Sequence, residues 1–280
     1  MFAKFKLELI NEDLQLLQYL AELTKKDHQL LHRLYSGHYL MEGKQRDLIF
    51  ENYSNEMEAY FHHKIEQHLF SDGNLDAEAI EKEWFPEIDA QVFISYSSSD
   101  KRWAKYLAKW LYVNYGIKSF VDSMVWDHVN NLLKNLECPI IKNNAYDYNA
   151  LNQVSAHVHM ILSTAITKMI NKSECFIFIK TPNSIVNEDK TPSPWIYHEL
   201  SMAKYLPQIE PIRMRNRGLV TEDTKCASLN LIQIFYHTPL EDLKSLTIKD
   251  IMAAGQGLET MVAEAVLDQL YRNKRVPNAK

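Results

Sequence analysis

Glycine is scarce in this chain, 7 residues in 280, and proline adds only 9, which leaves no room for a long flexible linker. The chain therefore reads as folded nearly throughout. No run of about 18 apolar residues occurs, so no membrane-spanning helix is expected. The opening MFAKFKLELINEDLQLL is broken by Glu8, Glu12 and Asp13, which argues against a signal peptide. A cytoplasmic protein without a membrane partner is the expectation. Cysteine is limited to Cys138, Cys175 and Cys226, an odd number with no paired-ligand spacing, and Cys175 lies in the apolar run ECFIFI as a buried structural thiol would. The P-loop, GxGxxG, GxSxG and HExxH patterns are all missing, which excludes a P-loop kinase, a typical dinucleotide-binding dehydrogenase, an α/β-hydrolase and a zincin. HHKIEQH sets His62 and Glu66 four residues apart, yet no complementary pair follows, so no metal is expected.

The formal charge of −5 is unevenly spread. Residues 1–88 hold 9 Lys+Arg against 17 Asp+Glu, and the remainder 22 against 19. The first part would repel a polyanion and the second would barely attract one, so nucleic acid is not an expected partner. Length and the shift in pattern near residue 88 divide the chain into an N-terminal helical region, 1–88, and an α/β domain, 89–280. In the first, apolar residues recur at helical spacing: Leu16, Leu17, Tyr19, Leu20 and Leu23, then Leu30, Leu31, Leu34 and Tyr35, then a third set from Ile49 to Phe70.

After residue 89 short β-prone runs alternate with helical ones. QVFISYSSSD is a buried strand feeding a polar loop, and DKRWAKYLAKWLYVNYG is a helix closed by Gly116. IKSFVDS is a second strand and ECFIFIK a third, with the long helix ALNQVSAHVHMILSTAITKMINKS between them. SPWIYHEL then begins a short helix, LNLIQIFYH is a further strand, and the region from Leu246 to Asn273 closes the chain in helices. Such alternation predicts a mostly parallel sheet covered on both faces, with ligands at the carboxyl ends of its strands. Trp195 and Glu199, four apart on one helix, share a face and suit a pocket with a flat wall and a fixed negative charge. Ser95, Tyr96 and Ser97 offer hydroxyl and backbone N–H groups ahead of a helix, while Ser99 or Asp100 can serve simply as its cap.

In this order, VFISYSSSD, SFVDS, ECFIFIKTPNS and SPWIYHEL resemble a TIR (Toll/interleukin-1 receptor) domain of the bacterial, NAD-cleaving type, over about residues 89–275. The resemblance implies a flavodoxin-like α/β fold and NAD as substrate rather than cofactor. It implies Glu199 as the catalytic carboxylate, with Phe93, Ser95, Tyr96, Ser97, Asp122, Trp126, Trp195 and His198 at the substrate. Asp122 can instead cap a turn, His198 can be merely exposed, and Trp126, Tyr146 and Tyr148 can be packing. It further implies self-association through TIR domains and a role in anti-phage defence of the Thoeris kind, switched on by an effector or trigger protein. The chain departs from the family after Asp122, where a glycine-free stretch enlarges the loop at about 123–150. The acidic residues 1–88 match no catalytic position and are expected to regulate the enzyme. A non-catalytic TIR scaffold, or an enzyme like the nucleoside deoxyribosyltransferases, are the alternatives.

Overall fold

The computed structural model describes residues 1–26, 81, 89–121, 148–214, 236–256 and 262–276. Two compact units divide the chain. One comprises residues 1–50, 89–121 and 170–280, and the other residues 51–88 and 122–169. The expected helices between Leu30 and Phe70 lie outside the described residues, as do His62, Glu66, Asp122, Trp126 and Tyr146.

The first unit is an α/β layer structure around five strands that are all parallel. In chain order its main elements are β1 (Ala3–Glu8), α1 (Asn11–Lys26), β2 (Val92–Ser95), α2 (Lys101–Tyr115) and β3 (Ser119–Val121). The helix α3 (Tyr148–Lys172), which belongs to the second unit as far as residue 169, is followed by β4 (Cys175–Lys180), β5 (Lys190–Thr191) and α4 (Pro194–Tyr205). Then come β6 (Tyr236–His237), β7 (Lys244–Leu246), α5 (Ile248–Gly255) and α6 (Ala263–Asn273). The sheet runs β3-β2-β4-β1-β7, and β5 pairs with β6 in a separate antiparallel ribbon. The α/β class and parallel sheet expected from the alternating pattern are therefore present, and their arrangement is consistent with a flavodoxin-like fold.

The division at residue 88 is corrected for the first 26 residues. Ala3–Glu8 is a strand between β4 and β7, with all six of its residues in register against Cys175–Lys180. The physical cause is its period of two: Ala3, Phe5 and Leu7 are fully buried, while Lys4 and Lys6 point to the opposite face. Residues 1–26 thus belong to the sheet domain, and α1 packs on α2. Of the expected strand LNLIQIFYH, the last two residues form β6 and pair with β5, and Leu229–Phe235 lie outside the described residues.

Alternation divides the sheet's two faces. On one, Ala3, Phe5, Leu7, Val92, Ile94, Cys175, Ile177, Ile179 and Leu246 meet α1, α2, α5 and α6 in the main core. On the other, Phe120, Phe93 and Phe176 lie side by side across three strands, with ring centroids 5.4 and 5.7 Å apart. Local signals end and start the helices. Gly116 closes α2 in the left-handed region at φ 68°, Ser193 accepts from the Ile196 N–H ahead of Pro194 in α4, and Thr247 with Asp250 forms a capping box on α5.

Gly255 ends α5 directly over the Tyr115 ring, where a Cβ would collide with the ring carbons. Gly255→Ala is expected to cost about 1–3 kcal/mol through overpacking, read as a lower melting temperature. At the other end of α5, Asp250 accepts from Thr247 and pairs with Lys274 at 2.5 Å. Partial burial opposes its charge, but the Lys274 ammonium and the Thr247 donors outweigh this and hold its carboxyl below the usual range. A depressed carboxylate stabilises the fold above its unfolded value, and that contribution is lost as pH falls through the folded one. The melting-temperature gap between wild type and Asp250→Asn is therefore expected to be constant above about pH 5 and to close below about pH 4. Its size should be at most about 1 kcal/mol, as for other solvated pairs.

Beneath the sheet, Arg213 forks onto Glu174 at 2.8 and 2.6 Å and also bonds Asp268, while the Tyr271 hydroxyl donates to Glu174 at 2.7 Å. This ties α6 and the turn Ile212–Met214 to the amino end of β4. Burial pushes the neighbouring Cys175 thiol far up, so it is the inert core residue expected from its apolar run.

Candidate functional site

The adjacent strands β2 and β4 are followed in this sheet by strands on opposite sides, β2 by β3 and β4 by β7. In parallel α/β sheets such a reversal opens a crevice outside the carboxyl ends of the two central strands. Ser95 is the last residue of β2, and Thr181 follows the last residue of β4. The segment after β4 turns through Asn187 and Glu188, both at positive φ, pairs with β6, and enters α4 at Pro194. Ring stacking of Tyr197 on Tyr236, with centroids 4.5 Å apart, fixes α4 against β6.

Glu199 lies in the second turn of α4 and is only 1% exposed, while Ser95 is 0% exposed. The Ser95 hydroxyl donates to Glu199 Oε2 at 2.6 Å, closing a contact between residues 104 apart in sequence. Burying a carboxylate is costly without donors, and a short O–H···O bond of this kind offsets part of that cost. On the same face of the sheet, the half-buried Lys4 donates its Nζ to the Ala203 carbonyl of α4 at 3.3 Å. Burial lowers the Lys4 ammonium below its ordinary range, opposed by the charge of Asp242 and assisted by that of Lys204.

A second polar cluster ties the loops after β2 and β4 together. Asp100, 2% exposed, accepts from the Thr181 hydroxyl and, at 2.8 Å, from the Asn183 amide. Thr181 Oγ1 accepts in turn from the Asn183 N–H at 3.1 Å. Ser184 Oγ receives the Thr181 N–H at 2.9 Å and lies 3.1 Å from the Ile179 carbonyl to which it donates. As the N-cap residue of α2, Asp100 makes no side-chain cap bond and turns to the other loop instead. Only the T-P-N-S run after a buried strand hinted at this, being a turn-forming sequence rich in short donors.

The expected site residues separate by the strand's own period. Ser95 shares the face that meets Glu199, and Ser97 is half-buried at the start of the turn Ser98–Asp100. Phe93 is on that face too, two residues deeper and 0% exposed, its ring the middle one of the phenylalanine row. The Tyr96 side chain, at 4% exposure, joins Val92 and Ile94 in the main core on the opposite face. Trp195 and His198 are half-buried on α4, one turn and one residue before Glu199. Comparison with protein-family models, with curated proteins and with solved structures returned no match to this chain. Among the described residues, no helix is long and apolar enough to cross a membrane, and no three His, Cys, Asp or Glu side chains converge as a metal site.

The arrangement sets a buried carboxylate, Glu199, held by a hydroxyl at the carboxyl end of a parallel sheet, with the buried Asp100 engaged in a second cluster between the loops. Chemically, it can stabilise positive charge that develops on a bound group or accept hydrogen bonds from sugar hydroxyls.

Proposed function

We propose that the chain is an NAD-cleaving enzyme of the TIR type, an NAD glycohydrolase or ADP-ribosyl cyclase with Glu199 as its catalytic carboxylate. The observation that carries this reading is the buried Ser95–Glu199 contact at the carboxyl ends of the central strands, one helical turn beyond Trp195. Breaking the bond between nicotinamide and ribose builds positive charge on the sugar, as in glycoside hydrolysis, and a fixed carboxylate lowers the energy of that state. Nicotinamide is cationic while attached and leaves neutral, so no acid is required to protonate it. One carboxylate therefore suffices where ordinary glycosidases need two. Trp195 supplies a flat surface for a ring, and Ser97 and His198 supply polar contacts to ribose or phosphate. The nucleophile admitted to the activated ribose then decides between linear ADP-ribose, a cyclic isomer and a conjugate.

In a bacterial cell such a product, or the loss of NAD itself, is a signal of the anti-phage type, and self-association or an effector protein would switch it on. A second reading is favoured by the same carboxylate on the same sheet, because a nucleoside deoxyribosyltransferase also uses a glutamate at the sugar. Mass spectrometry after mixing the protein with NAD, and separately with deoxynucleosides, distinguishes the two. Nicotinamide with an ADP-ribose-derived product supports the proposal, and free base from deoxynucleosides alone replaces it. A non-catalytic scaffold would leave both substrates intact in every assembly state.

A further inference from the structure

We propose that Ser95 is a positioning residue for Glu199, acting through the carboxylate and not as a contact to substrate. This rests on the reading of Glu199 as the reacting carboxylate and assigns Ser95 a different task from the ribose cradle expected of it. The two groups come from separate parts of the pocket. Ser95 is the last residue of β2, in register there with Phe178 of β4, and the three residues before it pair with both β3 and β4. Glu199 reaches its place from α4 through three side-chain torsions, whereas Ser95 has one. The 2.6 Å bond therefore ties the longer side chain to the position of the strand. Ser95 is 0% exposed and spends its only proton on Oε2, which leaves that hydroxyl no second donation to offer a ribose.

A hydroxyl that donates to a carboxylate also favours its ionised form over its neutral one. In the ionised form Glu199 carries the charge that the ribosyl cation requires. Serine does this with no charge of its own, whereas an arginine or lysine in the same place would cancel the field that the cation must feel. The strand's alternation supports the assignment: one residue earlier or later the side chain would enter the opposite face, as Ile94 and Tyr96 do.

Three variants test this: Ser95→Ala removes the donor, Ser95→Cys weakens it at nearly equal size, and Ser95→Thr keeps it. Each is assayed for nicotinamide release against pH, and its Glu199 carboxyl is titrated by carbon NMR on glutamate-labelled protein, with Glu199→Gln identifying the signal. In Ser95→Ala, kcat is expected to fall about tenfold or more with KM little changed, and the carboxyl titration and the acidic limb of the pH–kcat profile to move up together by about one pH unit. Ser95→Cys should fall between, and Ser95→Thr should restore both. Should Ser95→Ala fail to fold, the Ser95→Cys and Ser95→Thr pair still separates donor strength from size. An unchanged titration and profile in a folded Ser95→Ala or Ser95→Cys protein would overturn the assignment. If the wild type releases no nicotinamide but the carboxyl titration still moves in the variants, the positioning contact stands and the NAD reading falls.

Discussion

Glu199→Gln is expected to abolish nicotinamide release, by about 10²–10³-fold or more in kcat, with the melting temperature almost unchanged. The amide preserves shape and still accepts the Ser95 hydroxyl through its carbonyl oxygen, so the buried contact between β2 and α4 survives. What it loses is the full negative charge facing the ribosyl cation, which no other group in the contact replaces. The alternative is that Ser95–Glu199 merely braces helix to strand. In that case the amide would turn over NAD like the wild type, and that result in a folded protein would remove Glu199 from the chemistry. Trp195→Ala is a weaker discriminator, because the half-buried ring also packs and its loss affects stability as well as substrate position.

A chain that begins at residue 89 is expected not to fold. It would lack β1, which fills the sheet between β4 and β7, and with it the fully buried Phe5 and Leu7 and the α1 residue Leu17. Each of those side chains is worth about 1.5–3 kcal/mol of burial. Together they approach the whole net stability of an ordinary domain, about 5–15 kcal/mol. Two strand edges that are buried in the intact sheet would also be exposed as templates for aggregation. The regulatory role expected for residues 1–88 therefore cannot be tested by removing all of them. Phe5→Ala in the full chain should cost about 3–5 kcal/mol, and gel filtration with circular dichroism of the 89–280 fragment should show aggregate or unfolded chain. A soluble, monodisperse fragment with native-like helix content would refute the placement of β1.

Where a short apolar run stood between clear turn signals, the fold was legible in sequence. VFIS, SFV and CFIFIK became β2, β3 and β4, Gly116 stopped α2, and Ser193 with Pro194 started α4. The spacing of Trp195 and Glu199 likewise placed them on one helix. Three features escaped for different reasons. The alternation in AKFKLE is a strand signal, but it runs straight into the helical periodicity of α1, and no local pattern reveals that its partners are at Cys175–Lys180 and Lys244–Leu246. With only three residues, β7 is too short to show any period. The polar string after Ile94 suggested one continuous cradle, whereas the pleat sends Ser95 and Tyr96 to opposite faces. Strict alternation along β2 would have shown this. That Ser95 meets Glu199 could not be read from either segment alone, since the contact exists only once the parallel sheet has formed.

The place of β1 also governs how the protein is made. Its first residue in register, Ala3, pairs with Cys175, so on the ribosome this strand emerges about 170 residues before the partner that covers it. At roughly 5–20 residues per second this is a wait on the order of ten to thirty seconds, and the β7 edge appears later still. Throughout that interval Phe5 and Leu7 are apolar side chains on an unpaired strand, a favoured substrate for a holding chaperone. Sheet closure is then a late, non-local event with a large loop to close, the situation in which folding is slow. Nascent chains should accordingly gain protease resistance only after Leu246 has left the exit tunnel, and not stepwise as each α/β unit is completed.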